Sequence, residues 1–374
     1  MELYDLQKNV RTLATMEETE MPVVSSYLNT EQGYPSCRTF LEERTMLLKR
    51  IIPSDQQESF DRSLEHIERY VHENAYVCDA RGIAIFVRTV ENPFFIGLTF
   101  GVPLPNRLIV DRVPNIYHLV EMKNTYDRYV VVLMTREKAS ILEVNLGSVT
   151  RQTWSEYPAL PERVGREWTK EQYQHHRRKQ TEETIHEKIK MVNKLISAAG
   201  HSHLILAGDA HMVKRLKAKL PPHLRQKLID SVFVKANDKS SDIVEATLSS
   251  FIEFREKQSR TYVEMLQQAM YTNGLGITGT HATLECLRLA RADVLILTKG
   301  YAPGPAWRCT CCQDIYIGQN QLNVCPECST TQFRKIDLKE KMVRLAQDSS
   351  CEVVVVQESD FLVACGGIGC LTRY

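Results

Sequence analysis

The chain has 374 residues, of which 43% are hydrophobic and 25% charged, and its formal net charge is +1. At about 100–200 residues per domain this length predicts two or three domains, each able to bury its own core. Near-neutrality excludes a global field drawing the chain onto nucleic acid, so any RNA surface must be a local patch. The amino terminus, MELYDLQKNVRTLATMEETE, is amphipathic and acidic and lacks the basic flank and apolar core of an export signal. No run of about 18 apolar residues offers a membrane span. A cytoplasmic protein without a membrane partner is expected. Its 11 cysteines are then expected to bind metal rather than pair as disulfides.

Taken in order, the chain divides into three predicted blocks, residues 1–124, 125–271 and 272–374. The first opens on a helical pattern, passes through a strand at Val23 to Leu28, and continues as mixed-charge helix to Asn74. Two apolar, β-branched runs follow as strands, Gly82 to Val87 and Phe94 to Phe100. Pro103, Pro105 and Pro114 punctuate the exit, and the polar stretch Glu121 to Arg128 reads as a linker.

In the second block, Tyr129 to Met134 and Lys138 to Val144 read as a hairpin. A long helix is predicted from Thr169, where Gln172 completes a capping box, to about Ala199, with Gly200 just beyond its end. His203 to Gly208 is a buried-strand run. A helix over Val213 to Leu220, Pro221-Pro222, a short helix and a strand from Ser231 to Ala236 come next. A second long helix runs from Asp242, with Glu245 completing its box, to about Ala269.

The third block places an N-cap at Thr280, a helix to about Ala292 and a buried strand at Asp293 to Thr298. A helix over Asp337 to Asp348 and a strand over Cys351 to Glu358 resume the alternation. Alternating strands and helices predict an α/β fold, with an α+β first domain. A ribbon at residues 307–331 is inserted between a strand and the next helix of the third domain.

That ribbon holds Cys309-x2-Cys312 and Cys325-x2-Cys328. Two such knuckles offer four thiolates, the closed tetrahedral shell of a structural Zn2+ ion with no open position for catalysis. A thioredoxin-like redox motif needs one pair, not two. Cys311 either replaces Cys312 as a ligand or merely flanks it. Cys286, Cys351, Cys365 and Cys370 stand in apolar company and read as core.

A second cluster opens the long helix of the middle block: Trp168, Tyr173, Gln174, His175, His176, Arg177, Arg178 and Lys179. Guanidinium groups grip phosphates and aromatic rings stack on exposed bases, which suits structured RNA. The plainer reading is a solvated helix face, balanced by Glu182, Glu183 and Glu187 downstream. Two other motifs reduce to local structure. Gly208-Asp209-Ala210-His211 lacks the further ligands of a two-metal phosphoesterase and reads as a strand turning into a helix. Gly366-Gly367-Ile368-Gly369 opens no helix and so is no dinucleotide fingerprint; it reads as a turn between strands. No Walker A sequence occurs.

The last residues, ACGGIGCLTRY, resemble the end of the third domain in the archaeo-eukaryotic class-1 release factor and Pelota family. GTHATLECLRLARADVLILTK is similar to that domain's opening helix and strand. LILAGDAHMVKRLKAKLPPHLRQKLI resembles the family's central domain, and RGIAIFV with FGVPLPNRLIVDRVPNIYHLVE the end of its first. The resemblance implies a three-domain factor in the ribosomal A site, with its first domain at the decoding centre. The basic helix start would lie near the end of the P-site tRNA. The third domain would carry the zinc ribbon and a surface for a translational GTPase such as elongation factor Tu.

Two departures qualify it. Where the family's Gly-Gly-Gln loop precedes the long helix, this chain has Val164-Gly165-Arg166-Glu167-Trp168-Thr169, and Gly-Gly-Gln occurs nowhere in it. A glycine pair lets backbone approach a crowded centre, and Arg-Glu-Trp does not. The first block also lacks the Asn-Ile-Lys-Ser and Tyr-x-Cys-x-x-x-Phe motifs of stop-codon reading. Bacterial-type relatives, hibernation factors among them, share the missing loop. The resemblance therefore implies a non-enzymatic ribosome ligand in hibernation or rescue. The alternative is a peptidyl-tRNA hydrolase that positions water with Gln172 or Gln174.

Overall fold

The computed structural model describes residues 3–74, 80–135, 138–156, 170–199, 201–235, 238–272 and 274–373. Two compact units emerge, one formed mainly by Tyr126–Phe254, the other by Tyr4–Thr125 together with Arg255–Tyr374. The expected first and third blocks thus share one unit.

The first block runs α1 (Leu3–Ala14), β1 (Val23–Asn29), α2 (Tyr34–Lys49), α3 (Ser54–Asn74), β2 (Gly82–Arg88), β3 (Phe94–Phe100), β4 (Arg107–Asp111) and α4 (Tyr117–Thr125). Its antiparallel sheet has the order β3-β2-β1-β4. Residues two apart on a strand share a face, so Val24 and Leu28 join Ile83, Ile85 and Val87 against Leu41, Phe60 and Ile67 of α2 and α3. The expected linker at 121–128 is overturned up to Thr125. Those residues end α4, which buries Leu119, Val120 and Met122.

The middle block contains β5 (Tyr129–Met134), β6 (Lys138–Asn145), β7 (Ser148–Glu156), α5 (Lys170–Ala199), β8 (Leu204–Gly208), α6 (Ala210–Lys219), α7 (Pro222–Gln226), β9 (Leu228–Phe233) and the start of α8 (Ser240–Tyr271). The sheet order is β7-β6-β5-β8-β9, antiparallel from β7 to β5 and parallel from β5 to β9. Both faces of β5 are covered. Val130, Val132 and Met134 pack with Ile185, Val192 and Ile196 of α5, while Tyr129, Val131 and Leu133 pack with Ile243 and Phe251 of α8. That explains the unbroken apolar run, since a strand buried on both sides shows no alternation. Gly208 at φ 136° ends β8, and a Cβ there would lie 1.9 Å from the Met134 carbonyl oxygen.

Two local expectations shift. The strand expected from Ser231 begins at Leu228, opposite Leu204. α8 begins at Ser240, so Asp242 is not its cap. Its carboxylate instead accepts the Lys239 N–H at 3.3 Å, the reach-back half of a capping box set three residues earlier. Thr169 and Gly200, the expected ends of α5, lie outside the described residues.

The third block adds β10 (Gly276–Thr278), α9 (Thr280–Arg288), β11 (Ala292–Thr298), β12 (Ala306–Cys309), β13 (Ile315–Ile317), β14 (Phe333–Ile336), α10 (Leu338–Asp348), β15 (Glu352–Val356), α11 (Asp360–Ala364) and β16 (Ile368–Thr372). Its main sheet has the order β10-β16-β11-β15, and the ribbon forms a separate sheet, β13-β12-β14, between β11 and α10. Thr280 is the first helical residue rather than the cap, which is Gly279. α9 stops at Arg288, and Ala290 at φ 52° turns the chain into β11. Gly366 and Gly367, at φ 89° and 80°, join α11 to β16, so this turn links a helix to a strand and not two strands. Cys286, Cys351 and Cys370 are buried, but Cys365 is partly exposed and is not core.

α10 holds the first and third blocks together through polar groups the sequence does not announce. Glu340 accepts the backbone N–H of Ile116 at 2.9 Å and of Tyr117 at 3.0 Å, capping α4. One turn on, Arg344 donates to the carbonyls of Leu13, Pro114 and Met16 at 2.9, 3.3 and 3.1 Å. The Asn124 side chain at the end of α4 pairs with β15, donating to the Val353 carbonyl and accepting the Val355 N–H, each at 3.3 Å. Burial pushes the Glu340 carboxyl up to about 8, against the pull of the two backbone N–H groups and Arg344.

Candidate metal centre and basic helix

The ribbon strands are three or four residues long and too short to order themselves. Antiparallel pairing sets Cys309 opposite Phe333 at the end of β12, where the first knuckle begins. Gln313 at φ 65° turns that knuckle and Ser329 at φ 59° the second. The four sulfurs of Cys309, Cys312, Cys325 and Cys328 all lie within 4.8 Å of one another. Cys309 and Cys328 are 3.4 Å apart, Cys312 and Cys325 3.5 Å. These separations far exceed the about 2.05 Å of a disulfide. They approach the about 3.8 Å edge of a tetrahedron with metal–sulfur bonds near 2.3 Å. The donor set therefore fits a single thiophilic ion. Cys311 is exposed and outside this set; its backbone N–H donates to the Cys309 sulfur at 3.4 Å.

Further donors face the cluster. Burial raises the Cys325 thiol, but the Tyr316 hydroxyl at 3.3 Å and the N–H groups of Cys328 and Glu327 overcome it and bring the thiol to about 6. These donors prepare a thiolate, the form that binds metal, and their role is not visible from cysteine spacing. A bound metal would supply the cross-link between the two knuckles, with Cys309, Cys312, Cys325 and Cys328 as its ligands.

The basic cluster is only partly described. Trp168 lies outside the described residues. Tyr173, Gln174, His175, His176, Arg177, Arg178 and Lys179 fall on the first turns of α5, as do Gln172 and the helical backbone around it. Of their side chains, those of His175 and Lys179, one turn apart, are described, and both are exposed. The helix becomes buried further on, at Ile185, Val192 and Ile196. Glu182 does not act as a simple counterweight to the cluster: it pairs with Lys219 at 3.0 Å and Arg215 at 3.5 Å on α6. The loop position 164–169 lies outside the described residues. Asp209 caps α6, accepting the His211 N–H at 3.0 Å, as a strand-to-helix turn requires.

No helix among the described residues is long and apolar enough to cross a membrane. Residues 114–251 match the model of bacterial archaeo-eukaryotic release factor family 10. Peptide chain release factor subunit 1 of Thermococcus onnurineus is 24% identical over 136 residues, 32% of this chain and 33% of that protein. The match thus spans about a third of the curated relative's length. Among solved structures, an archaeal translation termination factor, aRF1, has 14% identity and a TM-score of 0.28, covering 100% of this chain and 99% of that one. Archaeoglobus fulgidus Pelota has 12% identity and a TM-score of 0.36, covering 78% and 79%. Over residues 114–251, then, the chain is similar to bacterial archaeo-eukaryotic release factor family 10, and over 136 residues to an archaeal peptide chain release factor subunit 1.

Proposed function

We propose that this protein is a ribosome-binding translation factor that fills the A site without reading stop codons or releasing peptide, in ribosome hibernation or rescue. One observation carries the reading. The family match spans residues 114–251, and the Gly-Gly-Gln of release factors occurs nowhere in the chain. The start of α5, with His175 and Lys179 exposed and Arg177 and Arg178 between them, supports an RNA contact. The four cysteines bind Zn2+, a closed shell with a structural role. The factor works in the cytoplasm, and the third block offers a surface to a translational GTPase such as elongation factor Tu.

The name of the Thermococcus relative favours a second reading, release activity with Gln172 or Gln174 placing the water. A peptidyl-tRNA ester bound in ribosomes separates the two. The first reading expects no hydrolysis above the rate of ribosomes alone. Hydrolysis that is lost in Q172A or Q174A would replace it with the second.

A further inference from the structure

Consecutive residues of a strand point to opposite faces, so Cys309 and its neighbour Arg308 on β12 diverge. Cys309 joins the thiol cluster, and Arg308 turns to the other side of the ribbon. There it stands directly opposite Arg334 of β14. Like charges facing each other across a strand pair destabilise it. Glu18, from the segment between α1 and β1, resolves this conflict. Its carboxylate accepts from Arg308 at 2.7 and 2.5 Å and also from Arg334, which reaches Asp111 at 3.4 Å as well. Burial raises the Glu18 carboxyl, but the two guanidinium groups overcome it and hold it below its ordinary value. These side chains, with Lys341 and Arg344, line a cavity of about 210 Å³.

We propose that the outer face of the ribbon is an interaction surface for the first block of the same chain, and that metal loading latches the two together. The proposal rests on the four cysteines binding a metal. Strands this short gain their order from the metal, because its binding free energy is folding free energy. The metal fixes β12 against β14, which holds Arg308 and Arg334 side by side, and the pair clamps Glu18. Glu340 and Arg344 sit on α10 and bind the first block independently of the ribbon. Loss of metal therefore removes the tether at Glu18 and loosens the segment, which keeps its contacts with Arg88, Arg112 and Gln56 of the first block, without separating the blocks.

A glutamate-specific protease tests this on the full chain, since Glu17, Glu18 and Glu20 are its potential sites. Bound zinc is first quantified by mass spectrometry, before and after chelation. Chelation is expected to speed cleavage at residues 17–20 about tenfold, the effect of losing a small network of ion pairs. The double variant R308Q/R334Q should do the same while keeping its zinc, which shows that its ribbon remains folded. Equal cleavage of zinc-free and zinc-loaded chains would overturn the latch, as would an arginine variant cut no faster than the parent. A chain that neither carries zinc nor takes it up would overturn the metal reading itself.

Discussion

The sheet of the middle block and the joint on α10 are held by opposite means. The sheet is apolar on both faces, and its central strands β5 and β8 have every residue buried. The joint is made of a carboxylate, a guanidinium and an amide bonded to backbone groups of a distant segment. Apolar burial is non-directional and insensitive to protonation, whereas these bonds depend on geometry and charge. One region should answer chiefly to side-chain volume and the other to single donors, and the two should differ in the sign of their pH response.

The largest effect is expected from Leu206, fully buried in β8. Leu206→Ala should cost about 2–5 kcal/mol by transfer and cavity terms. Peptide-resolved hydrogen exchange should show the loss across Tyr126–Phe254 and leave β1 and β2 as they were. A uniform loss over the whole chain would erase the contrast between the regions.

Arg344→Met comes next. It removes the donor to three carbonyls while keeping an aliphatic stem, and should cost about 1–3 kcal/mol for buried groups left unsatisfied. Exchange should rise at the end of α1 and around Pro114 and stay unchanged in β5 and β8.

The pH responses should have opposite signs. Glu340 has a folded value raised to about 8, so between the ordinary carboxyl value and 8 the folded state binds more protons than the unfolded. Stability of the joint should fall as pH rises through that window. In the middle block, burial lowers His201, which Glu143 at 3.3 Å only partly offsets. There the unfolded state binds more protons, and stability should fall as pH drops below about 6.5. Thermal unfolding across pH for E340Q and H201Q checks this: E340Q should flatten the alkaline side and H201Q the acid side.

The middle sheet was open to sequence reasoning because burial on both faces writes continuous apolar runs, as at Tyr129 to Met134. The thiol cluster was legible because its spacing is local. β4 and β7 were not, and both are edge strands in which polar residues, Arg107 and Asp111 on β4 and Thr150 and Arg151 on β7, interrupt the apolar run. The joint was invisible for another reason. Glu340 lies 224 positions from Ile116, and Arg344 lies 331 from Leu13, so on α10 they look like any i,i+4 surface pair. Glu18 is hidden in the same way, 290 positions from Arg308.

Co-sedimentation of the full chain with ribosomes over a salt series tests the central claim most directly. The expected result is stoichiometric binding that weakens as salt rises, with a shallower salt dependence and lower affinity for R177E/R178E. A chain that stays in the supernatant at low salt would contradict a ribosome-binding role. Binding unchanged in R177E/R178E would return the start of α5 to a solvated helix face.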